Sequence, residues 1–112
     1  MMEYEKLLEK IQLLEYHQQL LLKLLDNPNL HFYKLIIEKG LTQDFVERFF
    51  HLCDKLNMEL KKQKAEGFVY FHPLFNELSE NLPANMNMKE VVKACLAQKL
   101  YEPLFLEFRK YI

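Results

Sequence analysis

Apolar residues at spacings of three and four run almost unbroken through the first quarter of the chain. Tyr4, Leu7, Ile11, Leu14, Gln18, Leu21 and Leu25 step by 3, 4, 3, 4, 3 and 4. This heptad pattern keeps one edge of an α-helix turned toward a partner helix, as in a coiled coil. No Gly, Pro, Ser, Thr or Cys interrupts residues 1–26, so the pattern predicts one helix over about 2–26. Its apolar stripe is broader than a two-stranded seam requires. Leu8 and Leu22 flank the seam on one side, Leu24 on the other, and Leu13 and Leu20 lie beyond. Gln18 is the polar seam position, of the kind that fixes register or oligomer number.

Asn27-Pro28 ends this helix, because proline disfavours helical geometry in the residue before it. Asn29 is expected to cap a second helix, Leu30 to Lys39, which Gly40 closes. Thr42 then caps a third helix over about 43–66, with Asp44 near its positive end. Val46, Phe49, Cys53, Leu56 and Leu60 form its seam, and Phe45, Phe50 and Leu52 make its first half apolar nearly all round. Its second half is mostly charged and reads as solvated, up to Gly67. Phe68-Val69-Tyr70-Phe71 looks extended, yet a lone strand has no partner, so an aromatic connector laid on the helices is expected. His72-Pro73 opens a short helix over about 73–80, and 81–87 is the longest loop. Asn87 with Glu90 makes an Asn variant of the capping box. The fifth helix carries Met88, Val91, Val92, Cys95, Leu96 and Leu100 on one face, and Pro103 starts a last helix with Leu104, Phe105, Phe108 and Ile112 inward. The expected fold is all-α: five to six helices in a single domain over 1–112, with long first and third helices in an elongated, oligomeric bundle.

Size sharpens the expectation of assembly. A 25-residue helix is ~37 Å long, whereas a compact chain of this length has a radius of gyration near ~13 Å and a diameter of roughly 34 Å. The first helix must span the domain or project from it. Burying a leucine is worth ~1.5–3 kcal/mol, so a stripe this wide is expected to be sheltered by other copies, in a dimer or trimer, rather than inside a monomeric bundle.

Composition removes most chemistry. The net charge is −1 and the pI about 6.4, with acids and bases balanced in both halves, so no global field attracts nucleic acid or anionic lipid. No stretch approaches the ~18–20 apolar residues of a membrane span. Glu3, Glu5, Lys6, Glu9 and Lys10 also break up any signal-peptide order. A soluble, cytoplasmic protein without a membrane partner is expected. One Ser (Ser79), one Thr (Thr42) and two Gly (Gly40, Gly67) cannot build a glycine-rich phosphate cradle or a Ser/Thr hydrolase site. Cys53 and Cys95 are too few for a disulfide framework, and their apolar faces suggest buried, reduced thiols. No cofactor, metal or catalytic residue is assigned, and the chain reads as a non-enzyme.

Weaker constellations remain. Glu47 and His51 lie one helical turn apart but lack the third and fourth ligands of a metal site. Neither cysteine has the cationic surroundings that activate a thiol. Lys61, Lys62 and Lys64 form the one basic run and are the candidate nucleic-acid contact, although Glu59 and Glu66 interleave them. A helix-turn-helix reading of the last two helices fails, because Glu102-Pro103-Leu104-Phe105-Leu106-Glu107 offers no side chain suited to base edges. Phe68, Tyr70, Phe71 and His72 are the candidate partner surface, and alternation is expected to hide Phe68 or Phe71.

Several runs carry a resemblance. Ile37-x-Lys39-Gly40-Leu41 is followed by Cys53-Asp54-Lys55-Leu56, then by Gln63-Lys64-Ala65-Glu66-Gly67-Phe68-Val69-x-Phe71, and later by Ala97-Gln98-x-Leu100-Tyr101-x-x-Leu104 with Phe108. Together they resemble the YhaI-like family, small proteins of Bacillus and relatives that carry a domain of unknown function. The likeness covers nearly the whole chain, and Gln63–Phe71 is its most distinctive piece. It implies an all-helical cytosolic bacterial protein and brings no activity, cofactor or site residue. The expected function is therefore that of a homo-oligomeric interaction or scaffold protein with an unidentified protein partner. The alternatives are a transcription- or RNA-associated regulator using assembled lysines, and a small-molecule binder with an inter-helix pocket.

Overall fold

The computed structural model describes residues 2–112. Six helices follow one another: α1 Met2–Asp26, α2 His31–Glu38, α3 Gln43–Ala65, α4 His72–Glu80, α5 Met88–Ala97 and α6 Glu102–Phe108. One 3-10 turn, Arg109–Tyr111, continues the last of them. No strand occurs among the described residues, so the class is all-α and 68–71 is a connector.

The central helix is α3, which packs on α4 and α6, while α2 lies between α1 and α5. Its buried residues are Val46, Phe49, Cys53, Leu56 and Leu60, the seam expected from spacing. Around it close Phe32 and Ile36 of α2, Leu74 and Leu78 of α4, Val91, Val92 and Cys95 of α5, and Leu104, Phe105 and Phe108 of α6. Ile112 does not join them and is about half exposed. The helical period that α6 would need to turn it inward ends in the 3-10 turn at Arg109.

Most helix ends follow local chemistry. The Thr42 Oγ1 accepts from the Phe45 N–H at 3.1 Å. Asn87 and Glu90 form the reciprocal box, each side chain accepting from the other's backbone N–H. Gly40 and Gly67 take positive φ, +68° and +93°. Each sits inside paired 6→1 and 5→2 hydrogen bonds that close its helix. In α5 the same position is filled by Lys99 at φ 61°, where a side chain meets its own carbonyl and costs ~1–2 kcal/mol relative to glycine.

The start of α2 departs from the local expectation. Asn29 does not cap it; the Asn27 Oδ1 instead accepts from the Asn29 N–H in a tight turn. The N-cap position falls to Leu30, which has no acceptor side chain. The acceptor comes from Gln98, far along the chain, whose Oε1 takes the N–H groups of Phe32 at 2.9 Å and Tyr33 at 3.2 Å. These are the two donors that a capping side chain normally satisfies. Gln98→Ala is expected to lower stability by ~1–2 kcal/mol in urea unfolding. Gln98→Glu, which keeps an acceptor there, should retain most of it.

Glu90 also receives the Lys39 ammonium at 3.0 Å. The Lys39 hydrogen bond, then the Asn87 backbone N–H, holds its carboxyl below the ordinary glutamate value. A depressed carboxylate contributes stability that is fully present above the unfolded pKa, ~4.3 for Glu, and is lost as pH falls through the lower folded one. Glu90→Gln should therefore lower stability at neutral pH, where that contribution is present, change little at the acid end, and so flatten the acid side of the stability–pH curve measured by urea unfolding.

The molecule is elongated. Its radius of gyration is 15.8 Å and its extents are 54 × 34 × 21 Å, against ~13 Å expected for a compact chain of this length. Every residue from 2 to 12 is exposed. The first half of α1 thus projects beyond the body, and only its second half is docked.

Candidate self-association surface

α1 docks by one narrow edge. Tyr16, His17 and Leu20 are buried and Leu13 and Leu24 half-buried, a 13/16/17/20/24 spacing that traces a single helix face. His17 anchors it: its Nε2–H donates to the Leu41 carbonyl at 2.8 Å, tying α1 to the α2–α3 turn. The Lys23 ammonium lies 5.4 Å from the Tyr33 ring centroid, a cation–π contact that steadies the lower end. Burial, with Tyr33 and Glu47 nearby, pushes the Tyr16 phenol up to about 12, so it stays neutral.

The heptad seam lies on another edge, outside the docked face. In coiled-coil letters, Tyr4, Ile11, Gln18 and Leu25 are a positions and Leu7, Leu14 and Leu21 are d positions. All seven are exposed, Leu14 by 67% and Leu25 by 80%. Leu8 and Leu22, two of the three e positions beside the seam, are exposed as well. The a, d and e positions therefore form one open stripe, apolar except at Gln18 and Glu15. The body takes the c, f and g side, where Leu13 and Leu20 lie at c, Tyr16 at f, and His17 and Leu24 at g. Spacing revealed the open stripe. The docking edge was hidden because Tyr16 and His17 carry polar atoms and do not extend an apolar pattern.

The aromatic connector is only partly a surface. Phe68, Val69 and Tyr70 are exposed, but Phe71 is buried, and its N–H donates to the Tyr111 hydroxyl at 3.0 Å. His72 is half-buried, its ring 5.5 Å from Phe75 and 5.0 Å from Tyr111. The accessible set is thus Phe68–Tyr70, with Phe71 removed from the expected surface and Val69 added. No alternation runs through the connector, since Val69, two residues before Phe71, is 90% exposed; Phe71 is hidden where the chain meets the body, with its N–H held by Tyr111.

The lysine run does not form one free face. Lys61 and Lys62 are exposed, but the Lys64 ammonium lies 3.5 Å from the Glu107 carboxylate and 5.8 Å from the Phe71 ring centroid. Glu107 is buried and is also met by Lys110 at 3.3 Å. Its role had no signature in sequence, since an acidic residue on a short helix reads as solvated.

Glu47 and His51 are both exposed on α3. Among the described residues no three His, Cys, Asp or Glu side chains gather as a metal site. Cys53 and Cys95 are fully buried free thiols, and burial pushes both well above the ordinary thiol range, which keeps them protonated and poorly nucleophilic. An open groove of about 610 Å³ lies between α1 and the start of α3, edged by Glu9, Glu15, Asp44 and Glu47. No helix among the described residues is long and apolar enough to cross a membrane.

An all-α protein with a docked body and an outlying amphipathic helix is what these features define. Residues 2–112 match a family model described as Protein of unknown function (DUF1878). The chain belongs to the DUF1878 family.

Proposed function

We propose that the protein is a non-enzymatic, homo-oligomeric interaction protein that self-associates through α1. One observation carries this reading: α1 is docked by its 13/16/17/20/24 edge while the entire heptad edge stays open. A 3–4 repeat fits a helix of the same period better than a flat surface, and a second copy supplies such a helix. Area agrees in size. The accessible surface is 7629 Å², about 1,000 Å² above the roughly 6,600 Å² of a compact monomer of this mass. A standard interface covers ~800 Å² per partner. In this reading Phe68, Val69 and Tyr70 lie outside the self-interface and serve a protein partner. The two protonated, buried thiols support a role without chemistry.

The regulator reading has less support, because Lys64 is engaged by Glu107. Salt-sensitive binding to random duplex would restore it. Light scattering tests the proposal directly. A mass of at least twice 13.6 kDa at micromolar concentration is expected. A single-chain mass throughout that range would overturn the reading.

A further inference from the structure

We infer that α1 pairs with α1 of a second copy as a parallel, in-register, two-stranded coiled coil; this rests on the self-association reading and specifies its partner geometry. Three features of the open stripe choose the orientation. In a parallel pair, a positions face a positions, so Gln18 meets Gln18 of the second copy and the two amides can donate to and accept from one another. In an antiparallel pair with the greatest overlap, a faces d. Gln18 then lies against Leu7 of the second copy and its buried amide has no partner, which is unfavourable.

Charge points the same way. A parallel pair brings each g position beside the e position five residues on. Lys10, at g, then meets Glu15 of the second copy, at e, twice by symmetry. Both side chains are exposed in the single chain and free to turn. Antiparallel packing sets g beside g and e beside e, giving Lys10 against His17 and Leu8 against Glu15, with no opposite charges matched.

The third feature is coverage. The body of each copy hangs on the c, f and g side of its own α1, at the level of residues 13–24. In a parallel pair that g flank adjoins the e flank of the other helix, so each body helps to cover the second copy's exposed Leu22. In an antiparallel pair the two e flanks fall together on one side, and Leu8 and Leu22 of both copies stay in water. Two strands are the assigned number: every d position is leucine and Ile11 is the β-branched a residue, the pairing found in dimers, beside Tyr4, Gln18 and Leu25 at the other a positions.

Cysteine cross-linking of the full chain tests this, because Cys53 and Cys95 are fully buried and silent in the folded state. Leu7→Cys sits at an exposed d position that faces its own copy in a parallel pair. Mild oxidation should convert most of it to a covalent dimer on a non-reducing gel. Lys6→Cys, on the far edge of the helix, should remain single. If tagged Leu7→Cys mixed with Gln18→Cys gives mainly hetero-pairs, the orientation is antiparallel and the inference fails. Equal cross-linking of Lys6→Cys would also overturn it. A dimeric mass with Leu7→Cys unlinked rejects the orientation while self-association stands; a trimeric mass rejects two strands; a single-chain mass rejects both readings.

Discussion

Phe32→Ala should lower the free energy of unfolding by about 3–5 kcal/mol, a large share of the ~5–15 kcal/mol that domains of this size possess. Phe32 is fully buried, stacked on Phe49 at 5.0 Å and tilted against Phe50 at 5.6 Å. It joins α2 to α3 at the point where Gln98 also holds the α2 backbone. A helix of eight residues has no independent stability in water, so α2 exists because its inward residues are packed. The substitution leaves a cavity beside the Phe49 and Phe50 rings of α3 and loosens the seat of α1, which docks on α2. Urea unfolding followed by circular dichroism measures the loss. Phe68→Ala, at an exposed position, should change stability by less than ~0.5 kcal/mol. A Phe32→Ala loss below ~1 kcal/mol would contradict this account of the core.

The contrast between α2 and α3 shows what a sequence reveals. In α3 the whole buried set followed from spacing, and Thr42 capped it three residues from its target, because both signals are local. The same holds for the Asn87–Glu90 box and for the two glycines at positive φ. At α2 the local signal misled: Asn29 is a good capping residue one place too early, and the true acceptor, Gln98, comes from the far end of α5. Nothing in the neighbourhood of Leu30 encodes that contact. Glu107 is a similar case. Its burial depends on Lys64 and Lys110 arriving from two different elements, and charge alone places such a residue in water. The candidate surface was half legible. Heptad spacing singled out seven positions of α1 that the body leaves open, since a 3–4 repeat is written within one helix. Which edge meets the body was not legible, because that edge is made with a tyrosine, a histidine and a carbonyl at Leu41.

Leu14→Glu is expected to dissociate the protein without unfolding it. Leu14 lies at the centre of the open edge and is 67% exposed in the single chain. Replacing it removes no contact with the body and leaves the His17 anchor and the Leu20 packing in place. In a helix pair the change counts twice, once per copy. Losing two buried leucines, at ~2 kcal/mol each, weakens association by roughly 10³-fold. The two carboxylates would also face each other across the seam and add repulsion. The variant should therefore show a single-chain mass by light scattering at concentrations where the parent is associated. Its helical circular dichroism should be largely retained. Its melting temperature should stop depending on protein concentration, since that dependence comes from coupling between folding and association. Tyr16→Glu, on the docked edge of the same helix, makes the opposite expectation: it should lower helix content and melting temperature, because it places a charge where Tyr33 and Glu47 already crowd the site. If Leu14→Glu instead kept the parent's mass, α1 would not be the contact. The stripe would then have to be sheltered some other way.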